Sequence, residues 1–112
     1  MDTNNKEFID IEDALKRVGG NEGLYKRLLG RFVDGDHLGP LENALQSGDF
    51  EESAHLAHTL KGVSANLSLI KVTTLSAELE QAIKNGNDYS LLLSNLKQAY
   101  GTTLEKISEI SG

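Results

Sequence analysis

The fold this 112-residue sequence predicts is all-α: an antiparallel up-and-down four-helix bundle with one or two short helices ahead of it. Three observations carry that expectation. Apolar residues recur at helical spacing in every block between breakers, and no segment alternates apolar and polar residues between turn residues. Leucine is abundant and β-branched clusters are few, which favours helix. The connections are short, and short connections favour antiparallel neighbours. The length fits one compact domain, 1–112, with residues 1–7 as a loose tail.

The elements follow in order. FIDIEDALKRVGG starts on Asp10 as N-cap and ends in a double glycine, a short helix over 11–18. NEGLYKRLLGRFVDG begins at Asn21 and aligns Leu24, Leu28, Leu29 and Phe32. DHLGPLENALQSG repeats the pattern with Leu38, Leu41 and Leu45, and Pro40 falls in its first turn, where proline is tolerated. Gly48 stops that helix. Asp49 caps the longest block, a helix over 49–70. The next runs over 72–84 through Val72, Leu75, Leu79 and Ile83 and ends at NGND. The last, YSLLLSNLKQAYGTTLEKISEIS, puts Leu92, Leu96, Tyr100, Leu104 and Ile107 on one stripe, with Gly101 placed to bend it.

Composition removes several function classes. There is no cysteine, hence no disulfide, thiolate metal site or cysteine nucleophile. Acidic residues outnumber basic ones 17 to 11, for a net charge of −6, and a nucleic-acid partner would need a basic face. No apolar run approaches the ~20 residues of a membrane span, and MDTNNKEF has no signal-peptide core. The expectation is a cytoplasmic monomer without direct membrane contact.

The chemistry-bearing stretch is AHLAHTLKGVSANL, 54–67. On a helical wheel Leu56, Leu60, Val63, Leu67 and Ile70 form one apolar stripe towards the core. His58 falls on the opposite face, with Lys61 and Gly62 one turn on and Ala54 and Ala65 nearby. Glycine inside a helix costs roughly 1 kcal/mol against alanine. Here it clears space beside an imidazole that is in large part neutral at neutral pH and an ammonium suited to an anion. A nucleophile, a cation and a clearing on one exposed face suit phosphoryl transfer between proteins, which asks mainly for positioning and charge stabilisation. Two alternatives stand beside this. One is a helical docking module without chemistry. The other is a metal site at Glu52-x-x-His55-x-x-His58, weakened because only one Glu-x-x-His occurs and neither histidine points into a core. His37 receives no role.

The string AHTLKGVSANLSLIKVTTLSAELEQAIKNG resembles the signature of histidine-containing phosphotransfer (HPt) domains, and the likeness extends over about residues 8–108. It rests on Ala57, His58, Leu60, Lys61, Gly62, Ala65, Leu67, Leu75 and the Leu79-Glu80 pair. The resemblance implies that His58 is phosphorylated, that Lys61 neutralises the phosphoryl group and that Gly62 leaves room for it. It sets Glu80 where the family often has a glutamine hydrogen-bonded to the imidazole, with Gln81 the next candidate. It implies exchange with the aspartate of a receiver (response-regulator) domain in two-component signalling. No cofactor of the chain's own is implied, because the Mg²⁺ belongs to the receiver. No Walker-type loop is present, so the chain would be a carrier and not an ATP-dependent kinase. A free-standing protein and a module of a membrane-anchored hybrid kinase fit equally. The family usually has glycine where this chain has Ser68, and a serine there is expected to cost the helix little.

Overall fold

The structure is a computed structural model that describes residues 6–111. Those residues form six α-helices and no strand: α1 (Ile11–Arg17), α2 (Glu22–Asp34), α3 (Gly39–Gln46), α4 (Phe50–Asn66), α5 (Ile70–Lys84) and α6 (Ser90–Ser111). Of the expected tail, residues 1–5 lie outside the described residues, while Lys6 and Glu7 enter a short 3₁₀ turn.

Local chemistry explains where the helices start. Asp10, Asn21 and Asp49 each accept a hydrogen bond from the backbone N–H three residues on, at 3.0–3.1 Å, satisfying one of the donors a helix start leaves bare. Pro40 occupies the first turn of α3, and the Gly39 N–H donates to Asp36 Oδ1 at 2.9 Å. The core gathers Ile9, Tyr25, Leu29, Phe32, Leu41, Leu60, Leu69, Leu79, Leu96 and Ile107 from all parts of the chain. Each large apolar side chain fully buried this way contributes roughly 1.5–3 kcal/mol before the entropy of ordering. Leu92 and Leu104 of the expected α6 stripe are half-buried at its margin.

The most extensive pairing is α4 on α5, followed by α5 on α6 and α3 on α4. Ser64 Oγ lies 2.8 Å from Thr73 Oγ1, and farther from the connecting turn His58 meets Glu80. Contacts that recede from the turn in step on both helices make α4 and α5 an antiparallel hairpin.

Two expectations are corrected here. The helix expected over 49–70 stops at Asn66, and the one expected from 72 begins at Ile70. The break is Ser68, whose φ of +56° is left-handed. Ser68 N–H donates to Ala65 O and Leu69 N–H to Ser64 O, both at 3.0 Å. These are the paired bonds of a Schellman ending, whose left-handed position is usually glycine. Ser68 therefore does not sit in a helix at all.

The core-facing stripe of α4 is also rotated from the expected one. Ser53, Ala54, Ala57, Leu60 and Ser64 are buried, Leu56 and Val63 are half-buried, and Ile70 is 40% exposed. The rotation is most of one ~100° residue step. Small side chains on the buried face let α5 approach closely. Ala54, expected on the outer face, is part of this packed surface.

The turn at 67–69 is held from several sides. Tyr25 Oη–H donates to Leu67 O at 2.9 Å, and burial pushes the Tyr25 phenol up to about 12. Asp10 N–H reaches Ser68 O at 3.0 Å, and Ile70 N–H reaches Phe8 O at 2.8 Å. Ser68 Oγ–H donates to Asp13 Oδ2 at 2.7 Å. That bond, ahead of one from Arg17, holds the Asp13 carboxyl below its ordinary range.

Candidate functional site

Because the buried stripe of α4 is rotated, His58 stands on the flank of the helix beside α5, not opposite the core. Its side chain remains 59% exposed. Nδ1 lies 3.2 Å from Glu80 Oε1 and 3.1 Å from Glu80 Oε2. An ionised carboxylate can only accept, so Nδ1 carries the proton and donates. In the neutral ring that leaves the lone pair on Nε2, and no described residue hydrogen-bonds that atom.

Glu80 is a buried residue of α5, with a side chain only 4% exposed. A buried carboxylate is costly unless paired. Three partners surround it: the His58 ring, Lys61 Nζ at 3.5 Å from Oε1, and Lys84 Nζ at 2.8 Å from Oε2. Desolvation pushes the Glu80 carboxyl up, but hydrogen bonds from Lys84 and His58 with the nearby positive charge bring it below its usual value. The carboxylate is thus ionised at neutral pH.

Lys61 is 35% exposed along its side chain and sits one turn from His58 on the α5 side. Gly62 is exposed, and a Cβ built on it would meet nothing within 4 Å. Packing within this chain therefore does not require glycine there. Ala65, half-buried, continues the low surface. Beside His58 a shallow groove of about 530 Å³ opens, lined by Phe50, Ala54, His55, Glu80, Ile83 and Lys84 among others.

The structure brings His58, Lys61 and Glu80 together and sets Gly62 bare on the same exposed face. Gln81 is exposed and takes no part. Lys84 was not read from the sequence, although its i+4 spacing from Glu80 was the available signal. His55 is exposed, and among the described residues no group of three His, Cys, Asp or Glu side chains is arranged to hold a metal ion. His37 lies stacked on Phe32 at 4.7 Å between ring centroids, away from this face. Among the described residues no helix is long and apolar enough to cross a membrane.

Chemically, the arrangement offers an oriented imidazole with its nucleophilic nitrogen in solvent, a cation within reach and a surface free of bulk. A family model described as Hpt domain matches residues 33–108, a span that contains His58, Lys61, Gly62 and Glu80. No curated protein and no solved structure matches the chain.

Proposed function

This chain belongs to the Hpt domain family, whose members work in histidine phosphotransfer within phosphorelays, and on that premise we propose that His58 Nε2 is the atom that carries the phosphoryl group. The observation that carries the reading is the Nδ1–Glu80 hydrogen bond, which turns Nε2 outwards on an exposed face.

The Nε2 lone pair attacks phosphorus of an aspartyl phosphate on a receiver domain. The N–P bond forms, the acyl P–O bond breaks, and the aspartate leaves as carboxylate. Nδ1 keeps its proton, so the ring gains a formal positive charge as it gains the phosphoryl group. Glu80 faces that charge directly. Lys61 faces the phosphoryl oxygens, and Gly62 admits the partner's backbone. Reversal of the same step returns the group to an aspartate. Preorganised charge of this kind is the main catalytic resource in phosphoryl transfer.

The reading takes residues 1–112 as one domain, an up-and-down bundle acting as a cytoplasmic monomer. Its partners are receiver domains, which bring the Mg²⁺ that their own aspartate chemistry needs. The antiparallel α4–α5 hairpin and the sequential pairing of α3 through α6 support the bundle arrangement.

The test is incubation with a receiver bearing labelled aspartyl phosphate. The chain is expected to take up acid-labile, base-stable label, and His58→Gln to take up none while keeping its fold, since Lys84 and Lys61 still compensate the buried Glu80 carboxylate. Label that persists in His58→Gln, or an unlabelled parent beside an active receiver, overturns the reading.

A further inference from the structure

We propose that Lys84 is a positioning residue of this site: by neutralising Glu80 it leaves the Lys61 ammonium available to the phosphoryl group. The inference rests on the reading of His58 as the phosphoryl carrier and concerns how that site is charged.

The carboxylate of Glu80 is divided between two lysines. Lys84 holds Oε2 at 2.8 Å, within hydrogen-bond distance, while Lys61 stands 3.5 Å from Oε1 and is the looser of the two. The His58 Nδ1 proton bridges both oxygens. With a neutral imidazole, one buried anion and two cations leave the cluster one positive charge in surplus. That surplus is what an incoming phosphoryl group meets.

Without Lys84 the count is zero. Glu80, nearly excluded from water, would then draw Lys61 into a closer pair, because a buried carboxylate cannot be left uncompensated. Lys61 would lie bound to Glu80 instead of facing Nε2, and the carboxylate would repel the arriving phosphate. The two lysines thus have separate tasks, although both lie within reach of the same side chain. Lys84 is four residues after Glu80 on α5, so its hold on Oε2 is set within a single helix and does not depend on the partner. Lys61, on α4, can swing towards a group on Nε2.

This makes the effect of Lys84 conditional on the charge of Glu80. A lysine that bound the phosphoryl group itself would matter equally with or without the carboxylate. The experiment is a double-mutant cycle on the full chain with Lys84→Met, Glu80→Gln and both together. It reads the rate of transfer from a phosphorylated receiver and the lifetime of the phosphohistidine. Lys84→Met alone is expected to slow transfer on the order of tenfold, the scale of one lost near-surface charge interaction. Adding Glu80→Gln is expected to restore most of that loss, because glutamine still accepts from Nδ1–H but needs no counter-charge. Lys84→Arg is expected to keep the parental rate, which a purely local packing role would not ensure.

Equal losses from Lys84→Met in the parent and in the Glu80→Gln variant, or no loss in either, overturn the proposal. Thermal unfolding of all variants separates these outcomes from a damaged fold. His58→Gln run alongside keeps the two ideas distinguishable: label surviving in it defeats the phosphohistidine reading, whereas its loss with an additive cycle defeats the role of Lys84 alone.

Discussion

Glycine stands at position 62, where the backbone is ordinary α-helix and a Cβ would meet open space. Serine stands at position 68, where φ is +56° and glycine would be the unstrained choice. Within a few residues of each other, α4 and its ending each break a local rule, in opposite directions. At 62 nothing among the described residues repays the loss of helix propensity, and the proposed role of His58 supplies a reason outside the chain, in the partner that would approach it. At 68 the strain is offset inside the chain, by the Ser68–Asp13 hydrogen bond and the backbone bonds that fasten the N-terminal segment to the turn. A local violation without an internal partner marks function, and one with partners marks construction.

The largest expected effect belongs to the contacts that hold the turn at 67–69. Tyr25→Phe removes the hydroxyl that caps Leu67 O in the buried core. An acceptor left bare in such a place costs about 1–3 kcal/mol, so denaturant unfolding should show a loss of that size. Transfer through His58 should stay at the parental rate, because Tyr25 touches none of the site residues. A transfer defect without a stability loss would mean that the two regions are not separate.

Gly62→Gln sharpens the other side. The helix should gain up to about 1 kcal/mol from the better propensity of glutamine, with no clash to offset it. Transfer from a receiver should slow, because the new side chain projects over the face that carries His58. A more stable variant that transfers as fast as its parent would remove the clearance argument, and a less stable one would show that packing needed the glycine after all.

The same contrast explains how much could be read from the sequence. Breakers and caps were legible because their chemistry is local: the Gly19-Gly20 pair, NGND, and Asp10, Asn21 and Asp49 each act on backbone within three residues. The exposed trio of His58, Lys61 and Gly62 was legible because helical spacing alone places it. The end of α4 was not, since Leu67-Ser68-Leu69-Ile70 continues the apolar pattern and carries no glycine where one would mark the left-handed position. The true buried face was hidden for a related reason. Ser53, Ala57 and Ser64 pack against the rest of the fold through smallness, and a search for apolar stripes follows Leu56 and Val63 instead. Lys84 was missed because an exposed Glu–Lys spacing is ordinary, and only the burial of Glu80, a tertiary property, gives it meaning.

Ser68→Gly is the subtlest of these tests, since it sets two nearly equal terms against each other. A left-handed backbone costs an L-residue roughly 1–2 kcal/mol, and glycine would relieve that. The substitution also deletes the Oγ–H bond to Asp13 and makes the unfolded chain freer, which costs the folded state about 0.4–1 kcal/mol. The net change in unfolding free energy should therefore be small. The Asp13 carboxyl should meanwhile lose the first of the interactions that hold it low, and its titration, followed by NMR, should move up towards the ordinary carboxylate range. If stability rises by the full left-handed penalty while Asp13 titrates as before, the serine contributes nothing through its hydroxyl. In that case the strain at 68 is offset by the backbone bonds of the turn alone, and the serine hydroxyl drops out of the construction.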